Sequence, residues 1–343
     1  MDSITIRDIA KICGVGVSTV SRAINNHPDI NEETKAMIMQ VIKEHNYIPN
    51  NSARNLKKSD SNTIAVLIKG IGNPFFNSMI KIFESETKKK KYSFILQRVD
   101  NEEDEVDVAI ELIKEKKLKG IVFLGGYLSH PVEKLKQLKV PFVLSTIGLT
   151  EIEDKPTYSS VSVDDFRESY KIVDYLCKQG HKKIAIITAP MADASIGKLR
   201  YEGYKKALED NNIPVNSNLV RFMKSHIESY TMENGYEVTS ELIEDGEDFT
   251  AIFAVCDTMA IGACKAIFDA GKSVPEDYSV AGFDGLDIAK YYNPSLTTIR
   301  QPVEEIAKET IKILFDEINK KHHPRFITFP GELIVGQSTR KIS

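Results

Sequence analysis

Residues 5–25, Thr5-Ile-Arg-Asp8-Ile-Ala-Lys-Ile-Cys13-Gly-Val-Gly-Val-Ser-Thr19-Val-Ser-Arg22-Ala-Ile-Asn25, decide how this chain is read. The pattern predicts two short amphipathic helices joined by a glycine turn. Thr5 is placed to cap the first helix, and Asp8 three positions on completes an acidic variant of the capping box. Ile6, Ile9, Ala10 and Cys13 recur at helical spacing and form its predicted buried stripe. Gly14 stands where the chain must turn, and a positive φ costs glycine least. On the second helix Ser18, Thr19, Ser21 and Arg22 surround Val20 and Ile24, leaving a face of short hydroxyls and one guanidinium. Two readings fit. One is an ordinary helical hairpin with a polar surface. The other is a helix-turn-helix whose second helix enters the major groove, where small side chains allow close approach and Arg22 can clasp guanine O6 and N7. Hydroxyls and helix-start amides then suit phosphate oxygens.

The residues that follow extend this unit. Asn31 is the predicted cap of a third helix over 32–45, with Glu32 and Glu33 in its first turn and Ile38, Val41 and Ile42 inward. The segment from Tyr47 through Pro49 to Leu56 and Lys58 is helix-capable but too short to stand alone. It reads either as a plain linker or as a segment that folds on DNA and wedges Leu56 into the minor groove.

Taken together, Thr5…Asp8-Ile-Ala…Gly14-Val15…Thr19-Val-Ser-Arg22…Asn25, Thr34 and Tyr47-x-Pro49-Asn50-x-x-Ala53-Arg54-x-Leu56 resemble the LacI/GalR family of transcriptional regulators, and the similarity continues through nearly the whole chain. The resemblance implies base reading by Val17, Ser18 and Arg22. It implies phosphate contacts from Thr5, Thr19, Ser21, Asn25, Asn31, Thr34, Tyr47 and Asn50, and a DNA-binding segment in which Ala53 accompanies the wedge Leu56. Gly16 departs from the pattern, since a serine is usual at that helix cap. Glycine there costs only a few tenths of a kcal/mol, and it removes one hydroxyl that could bind a phosphate.

A length of 343 residues, 42% of them hydrophobic and without a long apolar run, suits a soluble globular protein of two or three domains and gives no membrane partner. The first residues carry no basic start followed by an apolar core, so no secretory signal is expected and the location is cytoplasmic. Cys13, Cys177, Cys256 and Cys264 lack CxxC spacing and read as reduced thiols. Residues 1–60 hold eight Lys/Arg against seven Asp/Glu. Affinity for DNA must therefore come from local placement of Arg22, Arg54, Lys57 and Lys58, and from dimerisation. The Lys88–Lys91 run closes a predicted helix and reads as a solvated end.

From Thr63 the rhythm becomes strand and helix in alternation. Strands are predicted at 64–68, 93–97, 120–124 and 141–145, with helices at 75–89, 103–116 and 132–138. After Asp164 the pattern starts again, with helices at 166–178, 199–211, 236–243 and 259–270 and strands at 184–188, 251–254 and 279–283. Such alternation implies parallel sheets covered on both faces, and two α/β units enclose a cleft at their strand ends. The resemblance adds the rest of the fold class. An N-terminal all-α helix-turn-helix domain (1–49) and a hinge (50–60) precede a periplasmic-binding-protein-like core of two doubly wound subdomains, 61–161 with 291–320 and 162–290 with 321–343. The absence of a leucine-heptad tail favours a homodimer over a tetramer.

Strand-end residues carry groups suited to a sugar. Asn73-Pro-Phe75-Phe76 offers an amide and two rings, and pyranoses present apolar faces to rings; the alternative is that both rings are core at a helix start. The resemblance places the effector arginine at Arg200, a hydroxyl-accepting aspartate at Asp284, an aromatic platform at Tyr230 and a cleft-reaching amide at Gln301. Cys256 departs from the Asn, Ser or Thr found before Asp257 in many sugar-responsive members, and a thiol is a poor hydrogen-bond partner. Asp257 reads either as an effector contact or as the cap of the following helix. No GxGxxG, P-loop or metal-spaced His/Cys cluster appears, so no enzyme, cofactor or metal is expected. The expectation is a repressor that grips palindromic double-stranded operator DNA, its affinity set by a small sugar-like effector. The alternatives are corepression through a partner protein or a non-sugar ligand, and sugar binding without a DNA role. Retention of Arg200 argues against the subgroup that answers mainly to a phosphorylated carrier protein.

Overall fold

A computed structural model describes residues 4–24, 27–45, 47, 62–100, 103–126, 130–147, 158–190, 196–320 and 323–342. Asn25, Asn50, Ala53 and Leu56 lie outside the described residues. The chain forms two compact units, 1–60 and 61–343.

The first unit is a head of three helices, α1 (Ile6–Ile12), α2 (Val17–Ile24) and α3 (Glu32–Glu44). Each start obeys its local chemistry. Thr5 caps α1, its side chain receiving the Asp8 N–H while Asp8 reaches back to the Thr5 backbone. Asn31 Oδ1 accepts the N–H groups of Glu33 and Thr34 at the start of α3. Gly14 turns the chain between α1 and α2 at φ +65°. Ile9, Ala10, Val20, Ala23 and Ile38 are buried at the meeting point of the three helices, flanked by Ile6, Cys13, Ile24, Val41, Ile42 and Tyr47.

The second unit contains two six-stranded sheets of matching plan. Lobe one has β1 (Thr63–Lys69), β2 (Ser93–Val99), β3 (Leu118–Leu124), β4 (Phe142–Ser145), β5 (Ser159–Val163) and β11 (Phe326–Phe329), ordered β11-β5-β4-β3-β1-β2 and parallel throughout. Lobe two has β6 (Ile184–Thr188), β7 (Val220–Phe222), β8 (Ala251–Ala254), β9 (Ser279–Asp284), β10 (Thr297–Arg300) and β12 (Glu332–Ile334), ordered β12-β10-β9-β8-β6-β7. Here the edge strand β12 runs antiparallel to β10, a departure from the all-parallel expectation. Covering helices in lobe one are α4 (Phe75–Lys89), α5 (Glu105–Glu115) and the short α6 (Val132–Leu135). Those of lobe two are α7 (Asp165–Lys178), α8 (Ile196–Asp210), α9 (Met232–Glu244), α10 (Asp257–Asp269) and α11 (Asp287–Tyr291). Helix α12 (Val303–Ile318) returns to lobe one and packs on α4 and β4. Strands β1, β5, β6, β8 and β9 are buried along their whole length, as sheets covered on both faces require.

Strand pairing corrects the expected crossovers near 161, 290 and 321. β5 completes lobe one to Val163. β10 pairs with β9, so residues 297–300 belong to lobe two, and β11 pairs with β5, so 326–329 belong to lobe one. The chain therefore passes between lobes after Val163, at Gln301-Pro302 and at Pro330-Gly331. Strand β5, Ser-Ser-Val-Ser-Val, is hidden from a hydropathy reading by its serines. Buried, they are satisfied: Ser159 donates to Glu317 at 2.6 Å and Ser160 to the Ile147 carbonyl at 2.7 Å.

Candidate functional site

In the head, Val17, Ser18 and Arg22 are exposed on α2, with Thr19 and Ser21 half-buried beside them. At 100° per residue, positions 17, 18, 21 and 22 share one face, opposite the buried Val20 and Ala23. The Arg22 guanidinium pairs with Asp29 of the α2–α3 connection at 3.2 Å. An exposed pair of this kind is worth at most about 1 kcal/mol, so Arg22 exchanges it for another acceptor at little cost. A Cβ at Gly16 would meet only Ser18 Oγ at 3.5 Å and Thr19 Oγ1 at 3.8 Å; the backbone does not demand glycine there. Thr5, Asn31, Thr34 and Tyr47 sit at helix ends, Thr5 and Asn31 as caps and Tyr47 packed on the head core.

In the second unit, the carboxyl ends of the two sheets face each other. Asn73, in the turn after β1, donates from Nδ2 to Asp284 Oδ2 at 3.0 Å, and Asp284 ends β9. Glu228 of lobe two overhangs Gly72 so closely that a Cβ there would lie 2.9 Å from its Oε1. Asp284 adopts φ +115° and receives a second bond from Gln301 Nε2 at 2.8 Å. Since Gln301 lies on the crossover between lobes, the cleft and the hinge are joined through one carboxylate.

Arg200, on α8, is buried. It binds Asp165 at 2.8 Å through Nε and NH2, approaches Asp284 to 3.7 Å, donates to the Val255 carbonyl and stacks 3.6 Å from the Phe283 ring centroid. Burial pushes the Asp165 carboxyl up to about 6 despite the guanidinium beside it, and raises Asp284 in the same direction. Asp257 is not the helix cap. It is the first residue of α10, and its carboxylate accepts the Leu286 N–H at 2.7 Å and the Thr298 hydroxyl at 2.6 Å, pinning the β9–α11 turn. Burial lifts its pKa to about 8. Cys256 occupies the cap position without a side-chain cap bond; its thiol, raised to about 12 by burial, lies 3.0 Å from Thr258 Oγ1. The Tyr230 carbonyl receives the Thr258 hydroxyl, and its backbone holds φ +60°.

Asn73, Arg200, Asp284 and Gln301 are thus brought into one chain of contacts, with Cys256 and Tyr230 joined through Thr258. Phe75 and Phe76 do not present their rings. They are 4% and 7% exposed and packed edge to face at 5.4 Å in the lobe-one core, as Phe at a helix start commonly is. Sequence reasoning missed Asp165, Phe283, Thr258 and Thr298. The doublet Asp164-Asp165 is the one signal that could have found the first of them: Asp164 caps α7 through the Arg167 N–H, which leaves its neighbour to do something else. Among the described residues one group, Asp104, Glu105 and His130, has metal-ligand spacing. Lys69 already sits on Glu105 and Lys134 on Asp104. No helix among the described residues is long and apolar enough to cross a membrane.

Residues 5–50 match the family described as bacterial regulatory proteins, lacI family, and residues 173–339 match the periplasmic binding protein-like domain. The HTH-type transcriptional regulator MalR of Clostridium butyricum is 41% identical over 331 residues, covering 96% of this chain and 97% of the relative. The transcriptional regulator CelR in complex with cellobiose is 25% identical, with a TM-score of 0.72 over 98% of this chain and 99% of its own. A LacI family transcriptional regulator from Enterococcus faecium with bound ribose is 28% identical, with a TM-score of 0.69 over 82% of this chain and 100% of its own.

Proposed function

Since the chain belongs to the lacI family of bacterial regulatory proteins, a family of DNA-binding transcriptional regulators and not of enzymes, we propose that it represses transcription as a homodimer whose grip on a palindromic operator is set by a small polyhydroxylated effector in the cleft. The observation that carries this reading is the contact chain Asn73–Asp284–Gln301, which ties lobe one, lobe two and the crossover to one carboxylate. A ligand hydroxyl that takes the place of the Asn73 amide on Asp284 changes how the lobes are held. Its binding energy acts only through its different affinity for the two arrangements. Cellobiose and ribose in two structural neighbours support a hydroxyl-rich ligand, and Arg200 supplies the rigid donor. Release from DNA on ligand binding is the expected sign.

On the head, Val17, Ser18 and Arg22 read bases, while Thr5, Thr19, Ser21, Asn25, Asn31, Thr34, Tyr47 and Asn50 hold phosphates. The segment with Ala53 and Leu56 contacts the minor groove. Met232, Phe268, Ile288 and Tyr291 are exposed apolar side chains on α9, α10 and α11 of lobe two and support pairing of two copies. A cytoplasmic location follows from the operator target.

Two measurements test this. A thermal-shift screen of mono- and disaccharides, phosphosugars and nucleosides identifies the effector class. Arg22→Ala is then expected to lose sequence-specific duplex binding while its thermal shift with the same sugar is unchanged; retained operator binding by that variant counts against the head assignment.

A further inference from the structure

The parallel strands of lobe one all begin at the same end of the sheet: Thr63 is level with Ser93 and Leu118, Ile121 with Phe142, Val143 with Ser159, and Ser160 with Phe326. Each helix-to-strand connection therefore emerges at one pole, far from the cleft. The chain also arrives from the head at this pole, since Ser93 donates to the Asn62 carbonyl at 2.7 Å. Lysines crowd three of these four connections, those within 87–93, 113–119 and 136–141. The described residues within 87–93, 113–119, 136–141 and 316–325 hold twelve Lys/Arg against three Asp/Glu, and one of the three is the buried Glu317. Lys88–Lys91 are all exposed, as are Lys116, Lys139 and Lys320. Lys89 is paired with Glu86 and Arg325 with Asp316, which still leaves the pole strongly positive.

Lysine at a helix C-terminus is favoured by the macrodipole in any fold, so a control is needed, and lobe two provides it. It has the same strand order and differs only in its antiparallel edge strand, and its own helix-to-strand connections, within 176–183, 208–219, 242–250 and 267–278, hold four Lys/Arg against nine Asp/Glu. Adding the C-terminal Arg340 and Lys341 leaves that pole acidic. Helix dipoles alone would make both poles basic. The charge is therefore specific to the end that is tethered to the head.

We propose that this lysine pole of lobe one is a second, sequence-independent DNA contact that takes phosphates of the duplex flanking the operator. The proposal rests on the DNA-binding reading above and goes beyond it, because it assigns DNA contacts to the core as well as to the head. The head has almost no net charge of its own, eight cations against seven anions in residues 1–60, and phosphate neutralisation supplies most of non-specific affinity. A basic surface joined to the head by a short tether provides the missing counter-charge. It acts at an effective concentration set by the linker, not by the bulk solution.

The test uses full-length protein and two triple variants of equal charge change, Lys88→Gln/Lys91→Gln/Lys116→Gln at the near pole and Lys182→Gln/Lys272→Gln/Lys341→Gln at the far pole. Binding is followed by fluorescence anisotropy on a 60-base-pair mixed-sequence duplex and on a palindromic duplex selected by the wild-type protein, between roughly 50 and 200 mM salt. The near-pole variant should bind both duplexes about tenfold more weakly at low salt, with the log–log salt slope reduced by about 0.9 for each phosphate no longer neutralised. The far-pole variant should stay within about twofold of wild type on the same scale. Equal behaviour of the two variants, or a wild-type slope in the near-pole variant, overturns the proposal. So does a near-pole variant that has lost only the capture of an acidic protein. A wild-type protein that binds neither duplex instead removes the DNA reading itself, which Arg22→Ala probes separately.

Discussion

Lobe one and lobe two arrange six strands in the same order, yet the groups at their facing ends differ in kind. Lobe two brings Asp165, Arg200, Asp257 and Asp284, all buried, into a fixed lattice of ion pairs and backbone bonds. Lobe one brings one amide, Asn73, and two rings turned into its own core. Buried charges persist only when every one is held by good geometry. The lobe-two floor is accordingly rigid, and the lobe-one side of the cleft hangs on it by a hydrogen bond. Such a bond to a charged acceptor is worth about 1.5–3 kcal/mol, a magnitude that a ligand can match. The difference teaches where a switch belongs: the expensive charges are locked on one side, and the movable side carries only groups whose partners are easily exchanged.

The most severe way to break this contrast is Arg200→Ala. It leaves Asp165 and Asp284 buried without their cation, and removing one partner of a buried pair costs about 3–5 kcal/mol. The thermal midpoint should fall by roughly ten degrees, and the ligand-induced shift should vanish. Arg200→Leu combined with Asp165→Leu should recover much of the stability but not the ligand response. A variant as stable as wild type would mean that the floor is not held by this pair. Asn73→Ala sharpens the other side. Its effect on stability should be smaller than that of Arg200→Ala, about 1.5–3 kcal/mol, whereas small-angle scattering of the unliganded protein should report a larger radius of gyration. No change in dimensions would show that Asn73 does not hold the lobes together.

How much of this is legible from residues alone follows the same division. Caps at Thr5 and Asn31 and the turn at Gly14 are short-range chemistry, and they stand where the residues alone place them. Long apolar strands such as β1 and β6 announce themselves. Strand β5 does not, because hydropathy cannot tell a solvated serine from a buried one bonded to Glu317. The crossovers are misplaced for a related reason: β10 and β11 are short, and only pairing with β9 and β5 decides which sheet owns them. In the cleft, the strand-end residue types point to Asn73 and the family resemblance to Arg200, Asp284 and Gln301, whereas the partner that keeps Arg200 buried, Asp165, lies 35 positions away and is marked only by the doublet it forms with the capping Asp164.

A smaller effect tests the charge of the floor through pH. Burial raises Asp257 to about 8, so the folded chain keeps a proton that the unfolded chain releases near 4. Its contribution to stability is therefore fully present below the unfolded value and is lost as pH rises through the folded one. His181, lowered by burial, works in the opposite sense but only below its ordinary 6.5. Between about pH 6.5 and 8 His181 no longer opposes the Asp257 effect, which has a limit of about 1.4 kcal/mol per pH unit, and Asp284, raised by the same burial, acts in the same sense. The thermal midpoint should drop across that window by a few degrees, and the drop should flatten in Asp257→Asn. An equal slope in both proteins would mean that Asp257 is already ionised.

The gentlest change is Cys256→Ser. Cys256 has the extended backbone of a helix cap, φ −153° and ψ 160°, and stands directly before α10 without making a cap bond. A serine oxygen at that place can accept the N–H of Met259, the third residue of the helix, which a thiol does poorly. The cap should add about 0.5–1 kcal/mol and raise the midpoint by a degree or two, with Thr258 still donating to the Tyr230 carbonyl. If stability instead falls, the cost of burying a hydroxyl exceeds the gain from the cap. The thiol would then be the better fit to a floor whose polar groups are otherwise engaged with one another. The same variant read against the sugar panel distinguishes a structural cap from a ligand contact, since only a contact changes the order in which sugars shift the midpoint.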